Sequence, residues 1–181
     1  MKTIILKKPG EFHLCETPEP EKLKSGEALI QVRKVGICGT DIHAYAGRQP
    51  FFEYPRILGH ELGVEVMEVA PDVSNIDPGM FCAVEPYLNC GRCRPCHLGR
   101  TNCCESLKVL GVHTDGGMRE RIIIPANKLH KSNTLAFDQL ALVETLSIGA
   151  HAVQRARLDS SDTVLIVGAG PIGLGALIFA Q

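Results

Sequence analysis

Glu27-Ala28-Leu29-Ile30-Gln31-Val32-Arg33-Lys34-Val35-Gly36 runs straight into Ile37-Cys38-Gly39-Thr40-Asp41-Ile42-His43. Downstream, Gly59-His60-Glu61 opens a second run of the same kind, Leu62-Gly63-Val64-Glu65-Val66-Met67-Glu68-Val69. Both runs alternate apolar and polar and are β-rich, so each reads as a half-buried strand. Cys38 to His43 then falls on a loop and the first turn of a helix. A thiol, two imidazoles, a hydroxyl and two carboxylates gather around two strand ends. Cys and His are the ligands zinc prefers, and a catalytic zinc takes about three protein ligands and keeps one position open. Cys38 and His60 supply a sulfur and a nitrogen; Glu61 or a later carboxylate supplies an oxygen.

The second cluster is Cys90-x2-Cys93-x2-Cys96-x7-Cys104. Four thiols this close can close a tetrahedron around zinc and leave no open position, which makes the role structural. Gly91, Pro95 and Gly99 supply the tight turns of such a knuckle. An iron–sulfur cluster would also take four thiolates, but nothing else in the chain needs a redox metal. Cys103 competes with Cys104 for the fourth position; the seven-residue gap favours Cys104. Cys15 and Cys82 read as small core hydrophobes.

Working outward, Ile4 to Leu6, Met80 to Glu85 and Arg119 to Pro125 read as further strands, and Phe137 to about Arg157 as a helix from its apolar spacing. Glu144 lies in that helix, where an unpaired carboxylate would be costly; a metal, an N-cap or a buried ion pair would each explain it. The Gly47–Pro55 loop, with Phe51, Phe52 and Tyr54, reads as a packed surface loop or as a lip of a substrate pocket. Asp159 to Asp162 is a polar linker. Thr163-Val164-Leu165-Ile166-Val167 reads as a strand buried on both faces. Gly168-Ala169-Gly170-Pro171-Ile172-Gly173 follows it and opens a helix from Leu174. In that setting Gly168 allows the turn, Gly170 lets backbone approach a pyrophosphate, and Gly173 allows close helix–strand packing. The acidic ribose-binding residue expected about 20 residues on falls beyond Gln181.

Composition is that of an ordinary globular protein: 181 residues, 45% hydrophobic, 22% charged, net charge −1. One domain of about 150 residues plus a remainder is expected. The near-zero charge argues against nucleic acid or an anionic membrane as partner. No run matches a secretory leader's apolar core of about 7–15 residues or a membrane span of about 20, so a cytoplasmic protein is expected. Eight cysteines without a leader point to metal or catalysis rather than disulfides.

Together with Leu142-Val143-Glu144 and Val167 to Gly173, these motifs resemble the zinc-dependent medium-chain alcohol and polyol dehydrogenases, nearest to their sorbitol and threonine dehydrogenase branch. The resemblance covers the whole chain. It implies a mostly β, GroES-like catalytic domain over 1–157 and the first βα unit of a truncated Rossmann domain over 158–181. It implies two zinc ions: a catalytic one on Cys38, His60 and either Glu61 or Glu144, and a structural one on Cys90, Cys93, Cys96 and Cys104. It implies Thr40 and His43 as proton relay, with NAD or NADP on Gly168, Gly170, Pro171, Ile172 and Gly173. The substrate would be a small-molecule secondary alcohol, a polyol or sugar acid, and the intact enzyme a homo-oligomer, dimer or tetramer. At this length the chain is expected to fold its first domain at best and to bind cofactor poorly. A non-catalytic, zinc-stapled binding module is the rival reading; a zinc-free reductase is opposed by the two metal constellations.

Overall fold

The computed structural model describes residues 1–50 and 52–181. Phe51 of the aromatic loop lies outside the described residues. The strands are β1 (Lys2–Lys8), β2 (Glu11–Glu16), β3 (Glu27–Gly36), β4 (Glu61–Val69), β5 (Phe81–Val84), β6 (Tyr87–Leu88), β7 (Lys108–Val109), β8 (Arg121–Pro125) and β9 (Leu129–Lys131). The helices are α1 (Gly39–Tyr45), α2 (Arg94–His97), α3 (Phe137–Ala156) and α4 (Pro171–Ala180).

The centre of the fold is a five-stranded antiparallel sheet in the order β8-β3-β4-β5-β9. The alternation seen in β3 and β4 becomes a buried face: Ala28, Ile30, Leu62, Val64 and Val66 meet Cys82, Val84, Ile122, Ile124 and Leu129 in one core. Each fully buried Leu or Ile contributes about 1.5–3 kcal/mol. α3 crosses this sheet. Gly63 in β4 leaves the room, because a Cβ there would overlap the Phe137 carbonyl at the start of α3. β1 and β2 form a separate ribbon, joined to the body through Thr3–Arg119 and Leu6–Arg56 bridges. Leu6, Ala44 and Leu58 form a smaller core under it, covered by Phe52, Tyr54 and Met118. Phe52 and Tyr54 are thus packed side chains of the loop, with rings 4.9 Å apart in an edge-on contact.

One expected strand does not form. Thr163 to Val167 pairs with no strand among the described residues, and Leu165 and Val167 are 86% and 91% exposed. Apolar β-branched composition prepares a strand, but a strand exists only through its partners. The following helix starts at Pro171 rather than Leu174, with Gly170 as N-cap and Pro171 in the first turn. α4 packs on α3, where Gly149 and Gly175 face each other closely.

Candidate metal centres and active site

The antiparallel pairing of β3 with β4 builds the first centre. Gly36, the last residue of β3, is in register with Glu61, the first of β4. Cys38 therefore leaves one strand where His60 enters the other. A bulge between Val32 and Lys34 bends β3 just before this point, a feature frequent next to active sites. Gly36 must lack a side chain, since a Cβ would overlap the Glu61 carboxylate. On the other approach, Gly59 adopts φ +93°, a conformation glycine reaches without strain. Gly111 and Gly116 pack against its backbone so tightly that a Cβ on Gly116 would strike the Leu58 and Gly59 carbonyls. His60 enters β4 from this clamp.

Ligand atoms of Cys38, His60 and Glu61 lie within 4.8 Å of one another. His60 and Glu61 are buried, each 6% exposed, and Cys38 is half-buried. His60 hydrogen-bonds the Cys38 sulfur, which holds the thiol below its ordinary pKa despite burial; the Thr40 hydroxyl, 3.5 Å from that sulfur, adds to the effect. Burial opposes charge on His60, yet the sulfur of Cys38 and the carboxylates of Asp41 and Glu144 outweigh it, so its pKa is raised. Nδ1 of His60 is buried without a hydrogen-bond partner, 4.0 Å from Asp41 Oδ1. An orphaned buried nitrogen costs about 1–3 kcal/mol. A ligating histidine usually donates its other nitrogen to a carboxylate, and Asp41 stands where that partner belongs. The donor set, S with N and O, fits zinc.

Asp41 was not assigned a role from the sequence. It accepts from the Cys38 backbone N–H at 2.9 Å, tying the start of α1 to the cysteine. The signal was its place three residues after Cys38, where a capping residue reaches back. Thr40 and His43 lie one turn apart on α1, so they share a face. Thr40 is half-buried beside the cysteine, and His43 is exposed to solvent.

Glu144, the other sequence candidate for the oxygen donor, sits on α3 and is 8% exposed. It is not among the three gathered ligands. Its carboxylate accepts a 2.9 Å hydrogen bond from the Tyr87 hydroxyl. Tyr87 and Glu144 also line a cleft of about 600 Å³ with Glu85, Asn102, His130 and His151. A larger cavity, about 780 Å³, is an apolar groove bordered by Ile4, Phe12, Leu14, Ile37, Ile42 and Tyr45; none of Cys38, His60 and Glu61 lines it.

The second centre is the lobe between β6 and β7. Sulfurs of Cys90, Cys93, Cys96 and Cys104 lie within 4.8 Å of one another and form no disulfide. The Cys93–Cys96 separation is 3.4 Å, close to the edge of about 3.8 Å that Zn–S bonds of about 2.3 Å give a tetrahedron. Backbone N–H groups aim at the sulfurs. The N–H of Arg92 leads in bringing Cys90 down to about 6, and that of Cys90, 3.3 Å away, lowers Cys104. Asn89, unnoticed in the sequence, donates to Cys96 at 3.6 Å. Cys103 is exposed and outside the group, so Cys104 is the fourth thiol. Cys82 is buried in β5, and burial pushes it up to about 11. Cys15 is half-buried in β2.

At the other end of the chain, Gly168 has φ +108°, and a Cβ on Gly173 would overlap its carbonyl. Gly170 has nothing within 4 Å of a built Cβ. One glycine makes the turn, one permits the close packing, and one faces open space where a phosphate could approach the helix N-terminus.

Residues 24–134 match the alcohol dehydrogenase GroES-like domain. The chain belongs to the zinc-dependent medium-chain alcohol dehydrogenases. It is 44% identical over 183 residues to L-galactonate-5-dehydrogenase of Escherichia coli K12, covering 100% of this chain and 53% of that protein. It is 49% identical over 182 residues to an uncharacterized zinc-type alcohol dehydrogenase-like protein of Haemophilus influenzae, covering 99% and 53%. The crystal structure of an alcohol dehydrogenase from Escherichia coli CFT073, complexed with NADH, superposes with a TM-score of 0.89 at 38% identity, covering 97% of this chain and 51% of that one. The chain thus spans about half the length of the curated relatives it matches. Among the described residues of this dehydrogenase chain, no helix is long and apolar enough to cross a membrane.

Proposed function

We propose that this chain carries the zinc-binding catalytic part of an NAD(P)-dependent dehydrogenase that oxidises a secondary alcohol of a polyol or sugar acid. The observation that carries the reading is the gathering of Cys38, His60 and Glu61 at the ends of β3 and β4, with Thr40 beside the sulfur. Zinc held there supplies Lewis acidity toward a substrate hydroxyl, and a nicotinamide dinucleotide on the Gly168–Gly173 turn supplies the hydride acceptor. Cys38 binds as thiolate, which its lowered pKa favours. Thr40 would relay the proton, accepting it from the substrate hydroxyl while its own passes on, and His43, one turn further and open to solvent, would receive it and release it to water. Asp41 orients His60. The four-cysteine lobe holds a structural zinc. A dimer or tetramer and a cytoplasmic setting belong to the same reading.

For the substrate, the likeness of Gln49–Phe52, Gly99–Glu105 and Gly111–Gly117 to L-galactonate 5-dehydrogenase favours a sugar acid; L-threonine and sorbitol are the alternatives within the branch. The test is NADH or NADPH formation with L-galactonate, sorbitol and L-threonine by this chain joined to a complete dinucleotide-binding domain of the length found in its relatives, with the wild-type sequence and with Cys38→Ala. Turnover that is highest with L-galactonate and falls at least about 100-fold in the variant is expected. A zinc-loaded protein inactive on all three, or an active Cys38→Ala, would favour the binding module instead.

A further inference from the structure

Two arginines that the dehydrogenase reading does not use meet at one cavity. Strand β1 bridges Arg119 at Thr3 and Arg56 at Leu6, so both residues flank the same short stretch of strand. Both line a cavity of about 300 Å³ walled by Ile5, Pro18, Pro55 and Ile57, and Asp115 is the one acidic side chain among its described lining residues. That carboxylate is already divided. Its Oδ1 accepts from the Ile57 backbone N–H at 3.1 Å and lies 3.5 Å from Nη1 of Arg56. The other acid near Arg56 is Glu53, at 3.9 Å and 89% exposed, where water screens the pair. The Arg56 side chain is 15% exposed, and its Nε is buried with no hydrogen-bond partner. Arg119 donates from Nε to the Gly116 carbonyl at 3.0 Å and from Nη2 to the Asp115 carbonyl at 3.3 Å. Burial draws its guanidinium below the ordinary pKa, and the Asp115 charge only partly offsets this. Each guanidinium therefore keeps N–H donors that these contacts do not use, and two cations share one carboxylate. A cation short of countercharge and a buried donor without an acceptor are both costly.

We propose that Arg56 and Arg119 form a binding site for a small-molecule oxyanion, the phosphate or carboxylate group of a ligand seated in this cavity. A guanidinium fork matches the oxygen spacing of both groups and can bond them bidentately, and such charge-assisted bonds are the strong ones. An anion between the two arginines supplies the countercharge that Asp115 alone does not, and an acceptor for the donors left over. A volume of about 300 Å³ is at the small end for a ligand cleft, and its apolar walls suit a short carbon body behind the charged group. The site also has a place in the fold. Gly116, Gly117 and Met118 donate their backbone N–H groups to the carbonyls of Ile57, Gly59 and Leu58 at 2.7, 2.8 and 2.9 Å, and His60 follows directly. A bound anion thus braces the segment from which His60 enters β4. None of Cys38, His60 and Glu61 lines the cavity, so the site is separate from that centre and needs no metal there.

The experiment titrates the full chain with inorganic phosphate and, separately, with succinate, each against sodium chloride at matched ionic strength. The arginine Nε–H signals are followed by nitrogen-15 NMR. Saturable shifts of the Arg56 and Arg119 signals are expected with phosphate or succinate and not with chloride; the tighter of the two assigns the ligand class. Arg119→Lys keeps a cation but loses the fork, and should weaken binding by about tenfold or more. Arg56→Gln combined with Arg119→Gln should abolish it, with the fold checked by circular dichroism. The wild-type titration stands by itself if the variants do not fold. No saturable shift with either anion, or shifts confined to other residues, would overturn the proposal, as would unchanged affinity in the folded double variant. Such a failure leaves the dehydrogenase reading untouched, because that reading is tested by turnover and by the Cys38→Ala variant.

Discussion

The four-cysteine lobe and the Cys38 centre both gather metal-ligating side chains, but they are made in opposite ways. The lobe draws its ligands from one short stretch, with turns between them and little core beneath; Cys90, Cys93 and Cys96 are only half-buried. The Cys38 centre draws its ligands from the ends of two strands of the main sheet, and its histidine and glutamate are buried. Local sequence can specify the lobe. Only the assembled sheet can specify the centre. The lobe should therefore depend on its metal for its shape, and the centre on the core.

The largest effect expected is at the lobe. Cys93→Ser removes one of four thiolates and most of a binding free energy of order 10 kcal/mol. Hydrogen-exchange protection should disappear over the Cys90–Cys104 segment and persist in β3 and β4. Protection lost equally from the sheet would break the contrast. Next comes Leu62→Ala in β4, where a fully buried leucine meets the core. It is expected to cost about 2–5 kcal/mol, measured by denaturant unfolding, and to weaken metal at Cys38 while sparing the lobe. A smaller effect is expected of Asp41→Asn, which keeps the shape but loses the charge facing His60. Metal affinity at the centre should drop about 10–100-fold by chelator competition, with the lobe unchanged. The smallest contrast is chemical. Cys103 is exposed, whereas Cys82 is buried and its thiol is pushed up to about 11, so Cys82 stays protonated at pH 8. Peptide mapping after iodoacetamide on the zinc-loaded protein at pH 8 should find Cys103 alkylated and Cys82 intact.

The same division explains what could be read from the chain alone. Residues 27–36 form a strand with the limits that their alternation indicates, and the four lobe thiols stand together as their spacing requires. Helix α3 spans nearly the range its apolar period marks. The short strands β6, β7 and β9 escaped notice because two or three residues carry no period, and β2 because its apolar side chains Phe12 and Leu14 stay exposed in a two-stranded ribbon. Thr163 to Val167 has strand composition and no paired strand among the described residues. The choice between Glu61 and Glu144 turns on where α3 lies across the sheet, and no local pattern encodes that. Tyr87 had no signal at all: its importance is a hydrogen bond across 57 residues.

The most direct test of the account is the zinc content of the purified chain by elemental mass spectrometry, beside that of Cys38→Ala. Two zinc ions per chain in the wild type and one in the variant, with circular dichroism unchanged, are expected. One zinc in the wild type, or two in Cys38→Ala, would contradict the existence of two separately built metal centres.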